Sequence, residues 1–160
     1  MKWIIAAIIL TILIIGGGSY LVVKSSPSQL SADQSAVATI TETSFDWGTI
    51  GINNGKVQKT FAIKNSGSSP LKLNNVVTSC MCTTAQVVIN GQSSPAFGMH
   101  AKSGWGAEVL PGQSADLVVV FDPAFHGPSG VGVITRIITV DTNDSKNSQL
   151  SFNLTANVVN

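Results

Sequence analysis

Arginine occurs once in this chain, at Arg136, and glutamate twice, at Glu42 and Glu108. Only 11% of the 160 residues are charged and the formal net charge is +1. No Lys/Arg run or basic face is present, so no nucleic acid is expected as a partner. Two glutamates are too few to suggest a paired-carboxylate hydrolase. The Gly-x-Ser-x-Gly elbow, the Walker loop and the His-Glu-x-x-His helix are all missing. No catalytic residue is therefore expected, and the chain does not read as an enzyme. Sustained helical periodicity is also missing after the first two dozen residues.

Those first residues are the one long apolar run. Trp3 to Val23 contains no charge, with Lys2 before it and Lys24 after it. About twenty residues suffice to cross a hydrocarbon core as a helix. Residues 1–24 are thus expected to form an N-terminal transmembrane helix, a single-pass anchor in the cell membrane. A cleaved signal peptide is the alternative, with Ile4–Ile15 as its apolar region and Gly16-Gly17-Gly18 as its small-residue site. Resumption of apolar sequence at Tyr20–Val23 favours the anchor. No cysteine follows the run, which argues against a lipoprotein. The slightly positive N-terminus should stay in the cytoplasm, leaving the rest to face the periplasm or the extracellular space.

Residues 25–37 are rich in serine, contain one proline and lack aromatics, as expected of a flexible linker. From residue 38 to residue 160 the pattern is β. Short β-branched runs recur at Ala38–Thr41, Val57–Ile63, Leu71–Val77, Ala85–Ile89, Ala115–Phe121, Val133–Val140 and Leu150–Val158. Asn53-Asn54-Gly55, Asn65-Ser66-Gly67, Pro111-Gly112 and Thr142-Asn143-Asp144 mark turns between them. About seven strands in one domain predict an all-β, immunoglobulin-like β-sandwich. A domain of this size buries about two-thirds of its unfolded surface and needs no disulfide to fold.

Two loops break the rhythm, Asn90–Gly106 and Pro123–Gly132, and they hold both histidines. Every cysteine and histidine of the chain, and every methionine except Met1, lies between Cys80 and His126. Three readings of this window stay open. Cys80 and Cys82 form a disulfide, which an oxidising compartment favours. In an extended strand their Cα atoms would lie near the upper limit for a bridge, giving a strained and reducible bond. Alternatively Cys80, Cys82, His100 and His126 bind a metal, since two sulfurs and two nitrogens make a closed zinc set. Met99 or Met81 as a further thioether would shift the preference to copper. In the third reading the thiols are buried as small hydrophobes. Trp105 is expected to anchor its loop, and Trp47 and Phe61 to lie in the core. Arg136 is expected on a strand surface or paired with Asp122 or Asp141, and Asp122-Pro123 to initiate a turn.

Val57–Thr83 reads VQKTFAIKNSGSSPLKLNNVVTSCMCT. It resembles a bacterial domain-of-unknown-function family with a strand, Asn-Thr-Gly, strand, Ser-Cys-Gly-Cys-Thr pattern. Phe45–Ile50 resembles that family's opening Asp-Phe-Gly strand. Leu110–Ala115 with Phe121-Asp122-Pro123, and Ile138–Asp144, resemble its later segments. The resemblance spans about Ile40 to Val158 and implies a Hydin-type, immunoglobulin-like fold, with no biochemical role attached. Met81 stands where the family has glycine, and the loop carrying Met99, His100 and Trp105 is an insertion.

Two functions follow. The first is a membrane-anchored extracytoplasmic module acting in protein interaction or scaffolding, with a protein partner. The alternative is a copper- or zinc-binding protein using Cys80, Cys82, His100, His126 and Met99.

Overall fold

A computed structural model of the chain describes residues 30–100 and 104–160. The expected anchor over residues 1–24 lies outside the described residues. Among the described residues no helix is long and apolar enough to cross a membrane.

In chain order the strands are β1 (Ala38–Ile40), β2 (Ser44–Gly51), β3 (Val57–Asn65), β4 (Leu71–Thr78) and β5 (Thr83–Ile89), then β6 (Gln92–Ser93), β7 (Gly106–Val109), β8 (Ser114–Phe121), β9 (Gly132–Thr142) and β10 (Gln149–Val159). They make two five-stranded sheets, ordered β1-β3-β8-β5-β6 and β2-β10-β9-β4-β7. All neighbours are antiparallel except β2 and β10. The two-sheet, all-β architecture agrees with the sequence. The strand count is higher than the seven read from alternation: β2 is indicated only by the resemblance at Phe45–Ile50, and β6 and β7 are not expected. Strands β6 and β7 are too short to show alternation, and β7 emerges from the end of the long loop.

Alternation in sequence becomes sidedness in space. In β8 and β10 every second residue is buried, as it is in β3 from Phe61 onward, whereas in β4 the buried set shifts by one residue after Leu73, where the pairing with β9 is irregular. Phe61, Ile63, Leu73, Leu117, Ile138 and Phe152 are all at most 1% exposed. Phe61 and Phe152 meet across the layers with ring centroids 5.0 Å apart. Full burial of such a side chain contributes about 1.5–3 kcal/mol, so this row of contacts is what joins the sheets. A second, smaller apolar cluster lies at one end and contains Ile52, Cys82, Phe121, Ile134, Ala156 and Val158, with Trp47 and Cys80 packed against it.

The opposite end is closed by polar contacts. The Asn65 side chain donates to the Ser69 and Val109 carbonyls at 2.9 and 2.8 Å and accepts the Gly67 N–H at 2.9 Å. The Asp144 carboxylate accepts the N–H groups of Ala38 and Lys146. Part of the expected linker is held here too. Asp33 N–H bonds the Asn143 carbonyl, and the Ser35 carbonyl accepts from Ser68 and Ser69. Ala36 is fully buried. Gly67 permits this docking, because a Cβ there would collide with the Ser35 backbone. The last residues of the 25–37 segment therefore lie against the sandwich.

Candidate thiol and metal site

Strand β4 belongs to one sheet and β5 to the other, so the chain must cross between layers at residues 79–82. That crossing is a turn, not a continuing strand. Thr83 N–H bonds the Cys80 carbonyl at 3.1 Å, and Thr78 Oγ1 bonds the carbonyls of Cys80 and Thr83, each at 3.0 Å. The turn brings the Cys80 and Cys82 Cα atoms to 5.3 Å, and the two residues form a disulfide. An extended Cys-Met-Cys segment would have set these atoms near the limit for a bridge; the turn places them well inside the normal range.

The sulfurs have unlike surroundings. Cys82 is 3% exposed and belongs to the end cluster, whereas Cys80 is half-buried and Met81 between them is 63% exposed. Arg136 Nε–H donates to Cys82 Sγ at 3.0 Å. The Thr83 hydroxyl lies 3.6 Å from the same sulfur. Cys80 Sγ lies 3.3 Å from His126 Nε2 and accepts the Cys82 N–H at 3.3 Å.

Local turn chemistry delivers His126. After β8, Asp122 N–H bonds the Cys82 carbonyl at 2.9 Å, tying this loop to the cysteine turn. Asp122 Oδ1 accepts the Ala124 N–H at 3.0 Å, the expected turn initiation. Gly127 N–H then bonds the Ala124 carbonyl, and the Phe125 and His126 rings meet edge to face at 5.0 Å. Gly130 leaves room for His126, since a Cβ there would press on the histidine Cβ at 3.3 Å.

Arg136 is not the surface charge that its strand suggested. The exposed positions around it are Thr135 and Ile137, while Arg136 itself turns toward the interior at the open end of β9. Its Cζ lies 5.5 Å from the Phe121 ring centroid, and Nη1 donates to the Thr135 carbonyl at 2.8 Å. The described residues give it no carboxylate partner, neither Asp122 nor Asp141. Burial lowers its pKa from the ordinary value, yet a guanidinium stays protonated at neutral pH.

Of the four cysteines and histidines expected at a metal site, three come together. The donor atoms of Cys80, Cys82 and His126 all lie within 4.8 Å of one another. His100 is outside that group and exposed. Met99, 41% exposed, shares its loop. That loop is fastened close by, because Thr78 N–H bonds the Gly98 carbonyl at 3.0 Å and Phe97 bridges Ala85. Phe97 packs against Trp105 at 4.8 Å, so both aromatic residues anchor the loop. Sequence reasoning missed Arg136 as a member of the site. Its singularity and its place near the start of β9 were the available signals.

Nearby side chains leave apolar surface uncovered. Phe125, Val131, Val133 and Ile137 are 49%, 39%, 84% and 43% exposed. Ser79 ties the cysteine turn to this surface, its N–H bonding the Ile137 carbonyl and its Oγ accepting the Ile137 N–H, both at 2.9 Å.

A family model described as "Protein of unknown function (DUF1573)" matches residues 38–93, which include the cysteine turn. No curated protein matches the chain. Among solved structures it is similar to a protein of unknown function from Porphyromonas gingivalis W83. That match has 22% identity and a TM-score of 0.58, covering 81% of this chain and 49% of the other, so the chain spans about half of that protein. It is also similar to the ASH / PapD-like domain 7 of human CEP192, at 15% identity and a TM-score of 0.50, covering 82% and 92%. Both likenesses are of fold.

Proposed function

We propose that the chain is a membrane-tethered, outward-facing immunoglobulin-like module whose reduced form binds one soft metal ion at Cys80, Cys82 and His126. The observation that carries this is the convergence of two sulfurs and one imidazole nitrogen within 4.8 Å, from two loops that share no sequence neighbourhood. Two thiolates and one imidazole suit Cu(I), while zinc would want a fourth donor. The Arg136 guanidinium beside Cys82 offsets the negative charge of a Cu(I)-bis-thiolate.

The test uses the full chain in detergent, chemically reduced and free of oxygen, offered Cu(I) and Zn(II) against competing chelators. About one ion per chain is expected, with Cu(I) held more tightly. Cys80→Ser/Cys82→Ser should abolish retention, His126→Ala should weaken it, and His100→Ala should leave it unchanged. Failure to retain either ion would overturn the assignment.

A protein-interaction role is the second reading. It is favoured by the exposed Phe125 and Ile137 beside the cysteine turn, since uncovered apolar groups near one another mark contact surfaces.

A further inference from the structure

We propose that the Cys80–Cys82 disulfide exchanges with an external dithiol, that Cys80 Sγ is the atom attacked, and that Arg136 receives the leaving thiolate of Cys82. The asymmetry of the bridge carries this inference. Thiol–disulfide exchange proceeds by attack of a thiolate along an accessible path and is faster when the departing sulfur is stabilised as an anion. Cys80 is reachable: it is half-buried, beside the exposed ring of His126 and the exposed side chain of Met81. Cys82 is 3% exposed and walled by the end cluster. Only one sulfur is therefore open to attack, and the other must leave.

The leaving sulfur is already provided for. Arg136 Nε–H points at Cys82 Sγ from 3.0 Å. The guanidinium is held by the Phe121 ring and the Thr135 carbonyl, so it need not reorganise as charge develops. A neutral disulfide sulfur makes little use of a full positive charge; a thiolate in the same place makes a charge-assisted hydrogen bond. The contact thus strengthens along the reaction.

The steps balance as follows. A partner thiolate bonds to Cys80 Sγ as the Cys80–Cys82 bond breaks, and that bond's electron pair goes to Cys82. The partner's second thiolate attacks its own sulfur in the mixed disulfide and expels the Cys80 thiolate. The dithiol has lost two electrons and become a disulfide. The chain has gained two electrons and holds two thiolates, and the dithiol's two protons pass to them or to solvent. Run in reverse, the same steps let the reduced chain reduce a partner disulfide. The inference does not require the metal.

The test begins with the oxidised full chain in detergent, exposed briefly to glutathione, quenched with acid and mapped by mass spectrometry. The adduct is expected on Cys80, with Cys82 free. Cys82→Ala should react with oxidised glutathione to a stable adduct, and Cys80→Ala at least about tenfold more slowly because its thiol is buried. Arg136→Met should slow reduction by dithiothreitol about tenfold, the loss of one charge-assisted hydrogen bond, and Arg136→Lys should recover part of the rate. An adduct on Cys82, equal reactivity of the two single-cysteine variants, or an unchanged rate in folded Arg136→Met would each overturn the proposal. Should circular dichroism show Arg136→Met unfolded, the wild-type adduct map and Arg136→Lys decide. The metal competition starts from chemically reduced protein, so failure of exchange leaves the metal assignment standing, and the converse.

Discussion

At the end of the sandwich that holds Asn65 and Asp144, buried side-chain polar atoms are bonded largely to backbone groups. At the end that holds Cys80, Cys82, His126 and Arg136, side chain–backbone bonds are joined by contacts between side chains that come from three separate segments. Both ends need closure, because the strands stop there and leave the core open. The first end achieves it with an amide and a carboxylate that are each bonded several times, mostly to backbone. The second achieves it with sulfur, imidazole and guanidinium, groups that keep chemistry in reserve.

Removing Asp144 should break the comparison most severely. Asp144→Ala leaves the Ala38 and Lys146 N–H groups and the Asn147 amide without their acceptor. The expected loss is about 3 kcal/mol in urea unfolding, with the reactivity of Cys80 unchanged. Burial pushes the Asp144 carboxyl upward, and hydrogen bonds from Asn147, Ala38 and Lys146 outweigh it, leaving the pKa below the ordinary value. The folded pKa thus lies under the unfolded one, about 3.9. The carboxylate's contribution is complete above that value and is lost as pH falls through the lower, folded value. Acid unfolding of Asp144→Asn should accordingly show a shallower pH dependence below about pH 4 than the parent chain.

Reducing the disulfide should cost less. It closes a loop of only three residues, for which chain entropy gives about 1–2 kcal/mol. Urea unfolding with and without reductant measures this. A reduced chain that stays folded keeps the two ends distinct, whereas one that unfolds would make the cysteine end as structural as the other.

Smallest of all should be the effect of Met81→Ser. Its side chain is 63% exposed at the tip of the cysteine turn. A stability change within about 0.5 kcal/mol is expected. A larger loss would mean that the tip is packed and belongs to the closure itself.

Much of the fold was legible because burial imposes a period of two. Phe61 and Ile63 announce which face of β3 is inward, as Leu71 and Leu73 do for β4, and the structure buries all four. Strands β6 and β7 escaped because two to four residues carry too little alternation to be seen. The docking of Asp33–Val37 escaped as well, since Ser-rich sequence looks the same whether its backbone bonds to water or to a sheet edge. In the site, residue type alone marked Cys80, Cys82 and His126. Nothing in the linear spacing separated His126 from His100, because that choice depends on which loop the β8 turn aims at the β4–β5 crossing.

The amino-acid sequence by itself determined the all-β class, the inward faces of the long strands and the window in which soft donors are confined. These follow from local periodicity and composition, which need no knowledge of partners across the sheet. Only the tertiary structure decided that Cys80-Met81-Cys82 turns instead of extending, that His126 and not His100 joins it, and that Arg136 faces inward onto Cys82. Each of those outcomes depends on contacts between segments tens of residues apart. The physical reason is that β pairing is non-local: register and sheet crossing fix where loop side chains meet, and neither is written in any one stretch of chain.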